Sequence, residues 1–200
     1  GASSHKFSSG SHAEGRIAGK AACKFAKEKG GDAVNYNDAE IEAMKAEVLK
    51  PLNHYAENKD KTTQEDINPA YIAPKMFQMR LQKMMDEYAG GVTAQFTTSK
   101  ANLEKCLELL GMLKEDSANL GAKDLHDLMR AWEDKHRMYQ AEAHVRTILF
   151  REETRWPGYY FRADTPKMDN DNWLVFANVS YDPKSGEWST RKVPVKNLID

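Results

Sequence analysis

The 200-residue sequence holds only two cysteines, Cys23 and Cys106, far apart and both inside helical patterns. That excludes a disulfide framework and a cysteine-held cluster, and it suits a reducing cytoplasm. No apolar run is long enough to span a bilayer as a helix, and no signal-peptide pattern is present, so the reading is not an integral membrane protein. An excess of either charge is missing too. With 29 basic and 30 acidic residues the net charge is −1, which argues against a general nucleic-acid or membrane-surface binder. GxGxxG, P-loop and GxSxG patterns are all absent. None of the six histidines (His5, His12, His54, His126, His136 and His144) makes HExxH or pairs with a cysteine, so no metal site is supported.

What is present is mostly helical periodicity. A Ser/Gly-rich loop leads into a first helix, where Ser11-x-x-Glu14 reads as a capping box and Gly30-Gly31 as a stop. Gly15, Ala18, Gly19, Ala22 and Ala26 form a stripe of small residues, suited to close packing against another element. Asp38 opens a second helix that Pro51 should kink or break. A third follows Pro74 and stops at Gly90-Gly91. Ser99 caps a fourth, with Leu103, Cys106, Leu107 and Leu110 on one face. The longest helix runs from about Lys123 to Phe150, and its expected apolar stripe is Leu125, Leu128, Met129, Trp132, His136, Tyr139 and Ala143. Past Trp156-Pro157-Gly158 the period changes to alternation. Asp182 to Gly186 reads as a hairpin turn between two strands, the second ending at Val195, with Pro194 keeping it at an edge. The expected fold is mainly α, a helical domain with a small terminal β-hairpin.

The segment "REETRWPGYYFRADTPK" interleaves Arg151, Arg155 and Arg162 with Trp156, Tyr159, Tyr160 and Phe161. The default reading is a structural knot, with arginines packed on aromatics and paired to acids. Base stacking is the minor alternative, and no nucleic-acid partner is expected. The nine methionines, among them Met76, Met79, Met84 and Met85, read as gap fillers in the core. At the start of the first helix, physics allows an anion or an electron-rich ligand, though serine-capped helices commonly hold nothing.

One resemblance sharpens this. "HKFSSGSHAEGRIAGKAA" resembles the "NRLGxNSLxDxxxFGRxAG" segment of the fumarate reductase/succinate dehydrogenase flavoprotein superfamily, without a gap. "ETRWPGYYFRADTPKMDNDNW" is similar to its C-terminal "ESRGAHxRxDxPxRDDxNW" segment. The wording of both stretches, with the terminal hairpin, is close to that of the branch that acts on adenylylsulfate, and the likeness covers essentially all 200 residues. It implies that residues 1–37 are the last loop–helix piece of an α/β FAD-binding domain and that 38–200 are the helical domain. The first residue is Gly rather than Met, and the chain is expected to be a C-terminal piece of a longer subunit.

The implied activity is two-electron reduction of adenylylsulfate to sulfite and AMP, or the reverse, with FAD as cofactor and an iron–sulfur beta subunit as partner. The implied cofactor-binding residues are Ser9, Gly10, Ser11 and His12, at the helix start that faces the flavin. His5 and Lys6 fall on the Asn-Arg of "NRL", whose arginine binds a carboxylate in dicarboxylate-reducing relatives. A lysine lacks the bidentate fork, so His5 and Lys6 are expected either near sulfate or phosphate oxygens or as braces of the loop. No catalytic residue is assigned within the chain, which alone is expected to be inactive. Two alternatives stay open: a non-catalytic helical scaffold or subunit-docking module, and another fumarate reductase-type flavoprotein.

Overall fold

In a computed structural model, the structure describes residues 9–30, 37–62, 68–156 and 160–196, with Ser9 described in its backbone only. The chain divides into two compact units, residues 1–45 and 46–200.

The first unit contains α1 (Ser9–Lys29) and the first two turns of α2 (Asp38–Asn58). Along α1 none of the described side chains is buried; Ile17 and Phe25 are 68% and 67% exposed. Gly30 donates to the Ala26 carbonyl at 2.8 Å and ends the helix, as its sequence position predicts. The start differs from expectation. The helix begins at Ser9, two residues before the expected Ser11 cap, so Ser11 is a helical residue rather than the N-cap. Neither Ser9 nor Gly10 blocks helical dihedrals, and terminal turns extend or fray by a residue or two.

The second unit is built around α3 (Pro74–Tyr88), α4 (Lys100–Asp116) and α5 (Leu125–Phe150). Pro74 starts α3 at its first turn, where a missing N–H costs nothing. Gly90, at φ 85°, turns the chain out of α3. Ser99 caps α4 by accepting from the Asn102 amide, and Asp124 caps α5 by accepting from the Asp127 amide. The three helices share one core: Phe77 and Leu81 from α3, Leu103, Cys106, Leu110 and Leu113 from α4, and Ala131, Met138, Ala141, Val145 and Ile148 from α5. Each such leucine or phenylalanine contributes roughly 1.5–3 kcal/mol by leaving water.

Pro51 does not end α2, which continues to Asn58. The lost N–H frees a carbonyl in the preceding turn. There the Val48 carbonyl accepts from Trp132 Nε1 at 3.0 Å, the ring of Pro51 is buried, and its own carbonyl accepts from the Ala122 amide at 2.9 Å, so tertiary contacts hold the helix through this turn. The face of α5 is also corrected. Of the expected stripe only Leu128 is buried; Leu125 is 73% exposed and Met129 49%, and His136 is exposed beside Trp132. The buried face carries small residues, Ala131 and Ala141, that let α3 and α4 approach. Met76 and Met79 are likewise about half exposed rather than core fillers, whereas Met138 is buried.

Three smaller features complete the unit. A parallel pair joins β1 (Thr97–Thr98) to β2 (Phe161–Arg162). The short α6 (Asn170–Trp173) is capped by Asp169. The hairpin of β3 (Val175–Asp182) and β4 (Glu187–Pro194) is antiparallel, with Phe176 opposite Val193 and Tyr181 opposite Trp188. Gly186, at φ 74°, closes its turn. Among the described residues, no helix is long and apolar enough to cross a membrane.

Candidate functional site

The expected site lies at the start of α1. His5 and Lys6 fall outside the described residues. Ser9, Gly10, Ser11 and His12 share the first turn of the helix, with Gly10 half-buried and Ser11 and His12 exposed. A helix leaves its first N–H groups without an i−4 carbonyl, and they carry the positive end of the dipole. With the start at Ser9, the Ser9 and Gly10 amides fall in that set. Such a turn fits the electron-rich N1–C2=O edge of a flavin: amide donors, no bulky side chain at Gly10, and no acidic residue in the turn.

The arginine–aromatic segment organises a different place. Arg162 is 1% exposed. Its Nη1 donates to the carbonyls of Ile148 at 2.6 Å and Arg151 at 3.1 Å, closing the C-terminal end of α5. Its Nε and Nη2 grip the Asp164 carboxylate side-on, with Nε–Oδ1 at 2.9 Å. That hydrogen bonding raises Arg162 further above its ordinary range, and it holds Asp164 below the usual carboxylate range. Thr154 Oγ1 donates to the Thr165 carbonyl at 2.9 Å and accepts the Arg162 amide at 3.0 Å.

Glu153, wholly buried, is the second hub. It accepts from Arg155 through Nε at 2.7 Å and Nη2 at 2.9 Å, from Arg151 Nη1, and from the Asp169 amide at 2.8 Å. Burial pushes its carboxyl up, but the bonds from Arg155, Asp169 and Arg151 outweigh burial and hold it below the usual range. Tyr160 stands beside this network with its hydroxyl buried and unbonded, and burial pushes the phenol up to about 12 against the pull of the Arg162 charge. The arginines are thus spent on acids and carbonyls, as the structural reading predicts. Glu153 and Thr154 were not singled out from the sequence. The cue was a pair of acids, Glu152 and Glu153, between Arg151 and Arg155, which any exposed ion pair would also give. Among the described residues, no cluster of His, Cys, Asp and Glu could hold a metal.

Comparison with known proteins places this architecture. Residues 78–199 match the fumarate reductase flavoprotein C-terminal family, and the chain belongs to that family. Across 199 residues it is 44% identical to the adenylylsulfate reductase alpha subunit of Megalodesulfovibrio gigas, covering 100% of this chain and 30% of that protein. Adenylylsulfate reductase from the hyperthermophilic Archaeoglobus fulgidus superposes with a TM-score of 0.91 at 48% identity, over 98% of this chain and 30% of that one. A structure of adenosine-5-phosphosulfate reductase in complex with sulfite, described as a covalent adduct, matches equally, with the same TM-score, identity and coverage. The chain therefore spans about 30% of the length of these relatives.

Proposed function

We propose that this chain is the C-terminal part of an FAD-dependent adenylylsulfate reductase alpha subunit, acting in the cytoplasm on adenylylsulfate, AMP and sulfite. The observation that carries the reading is 44% identity along the whole chain, together with the 0.91 TM-score at 48% identity. In this reading residues 1–37 complete an FAD-binding domain and 38–200 form the helical domain. An FAD-binding domain against α1 would account for the exposure of Ile17 and Phe25. An iron–sulfur beta subunit is the electron partner.

The flavin, once bound, supplies the two-electron chemistry. The Ser9 and Gly10 amides, followed by Ser11 and His12 in the same turn, orient it and favour negative charge on its N1–C2=O edge. Lys6 and His5, just before the turn, lie near the anionic oxygens of the substrate. A lysine there supplies a point charge rather than a bidentate clamp, which suits sulfate or phosphate oxygens. The buried Arg162 and Glu153 hubs brace the helical domain and take no part in chemistry.

The test uses the complete subunit with its iron–sulfur partner. AMP- and sulfite-dependent reduction of an added electron acceptor is the expected activity. Turnover of succinate or fumarate in its place would overturn the reading. In the active complex Lys6→Ala should lower kcat/KM on the order of tenfold to a thousandfold with normal flavin content. Unchanged kinetics would remove Lys6 from the site.

A further inference from the structure

The terminal hairpin is attached to the helical core in an unusual way. Every position of β3 and β4 is half-buried or exposed, so neither strand contributes to the buried core. Two ring contacts hold the hairpin against α5: Tyr181 on Tyr139 at 5.4 Å, and Trp188 beneath the Arg146 guanidinium at 5.5 Å. Lys114 of α4 also lies 5.9 Å from the Tyr181 ring centre, and a further attachment, at the base of the hairpin, passes through one buried acid. Glu153 orders Arg151, whose guanidinium donates to the carbonyls of Trp173 at 2.9 Å and Val175 at 2.7 Å, the entry into β3. From the other strand, Lys192 donates to the Asn172 carbonyl at 3.1 Å and lies 3.6 Å from the Trp173 ring centre. Trp173 itself is buried, edge-on to Phe150 at 5.3 Å.

We propose that the β3–β4 hairpin is an arm that opens from α5 as a unit, hinged at the anchored Trp173 and latched by Glu153 through Arg151. Segments open locally with free energies that follow their buried contacts, and the arm has few of these beyond the latch. Arg151 reaches Val175 in a fixed pose because Glu153 holds it. Without the carboxylate charge, two half-buried guanidiniums lose their counter-ion and the bond to Val175 loses its orientation. The core of α3, α4 and α5 does not depend on either group for its packing.

Hydrogen exchange on the complete polypeptide at neutral pH tests this. In the wild type, the amides of 175–194 should exchange faster than those of α4 and the middle of α5. In Glu153→Gln they should exchange faster again, on the order of tenfold to a hundredfold, while α3–α5 stay unchanged. Hairpin amides as slow as the helical core, or acceleration shared by all elements, would overturn the proposal. Should Glu153→Gln fail to fold, Arg151→Met decides, since it removes the bonds to the Trp173 and Val175 carbonyls and leaves Glu153 its bonds from Arg155 and the Asp169 amide. A several-fold rise confined to 175–194 supports the arm, and no rise, or a rise spread over α3–α5, overturns it.

Discussion

Arg162 donates to the Ile148 carbonyl at 2.6 Å, so one buried guanidinium closes the C-terminal end of the longest helix from outside it. The same group binds Asp164 side-on, which neutralises its charge where water is excluded. Breaking a buried pair by removing one partner leaves the other uncompensated. Arg162→Met should therefore cost about 3–5 kcal/mol of stability, read as a lower midpoint in denaturant. Arg162→Lys should recover only part, because an ammonium cannot serve the carboxylate and the helix end together. An unchanged midpoint in Arg162→Met would show that the carbonyls of α5 find other partners.

The acid limb of stability should carry Asp164 and Glu153. Both are held below the usual carboxylate range, Asp164 by Arg162 and Glu153 by hydrogen bonds that overcome its burial. A depressed carboxylate contributes stability that is complete above its unfolded value, about 4, and lost as pH falls through its folded value. Asp164→Asn should then be less stable than the wild type at pH 7, with the gap closing toward pH 3. A gap independent of pH would mean that the charge is not what Arg162 needs.

Asp134 should behave in the opposite sense. It is 2% exposed, burial raises its carboxyl above the usual range, and its one hydrogen bond, from Arg137, is long at 3.4 Å. A raised carboxylate binds its proton more tightly when folded, so stability falls as pH rises from its unfolded toward its folded value. Asp134→Asn should raise the melting temperature at pH 7 and leave it unchanged near pH 3. A lower melting temperature at pH 7 would show that the Arg137 pair outweighs desolvation.

The start of α1 gives a prediction about the flavin. Proline is tolerated at the first helical position, which is Ser9. In the complete subunit, Ser9→Pro should keep the helix and delete one amide donor to the flavin, with Ser9→Ala as the side-chain control. On the proposed site, a charge-assisted bond of roughly 1.5–3 kcal/mol would stabilise the reduced flavin, so its loss should lower a two-electron potential by about 30–60 mV. Equal potentials in the two variants would place this turn away from the flavin.

Local signals were legible in the sequence. Ser99 precedes its helix because a side-chain oxygen must satisfy an orphan amide, and that chemistry needs no tertiary partner. The hairpin was legible for the same reason, since alternation about Asp182–Gly186 specifies its register. The family was readable from two short motifs, though two of the proposed site residues, His5 and Lys6, fall outside the described residues. Tertiary structure alone decided the rest. The buried face of α5 turned on neighbouring helices accepting Ala131 and Ala141, whereas hydrophobicity by itself favoured Trp132 and Met129. The helix ran on past Pro51 where residues far along the chain meet it, the Trp132 indole at the Val48 carbonyl and the Ala122 amide at the Pro51 carbonyl. Glu153 and Arg162 became hubs because folding brought a helix end, a two-residue strand and the entry to the hairpin to one place. Their ion pairs are with residues two apart, but the bonds that tie them to the Asp169 amide and to the Ile148 and Arg151 carbonyls span 11 to 16 residues, and such bonds leave no periodicity to read.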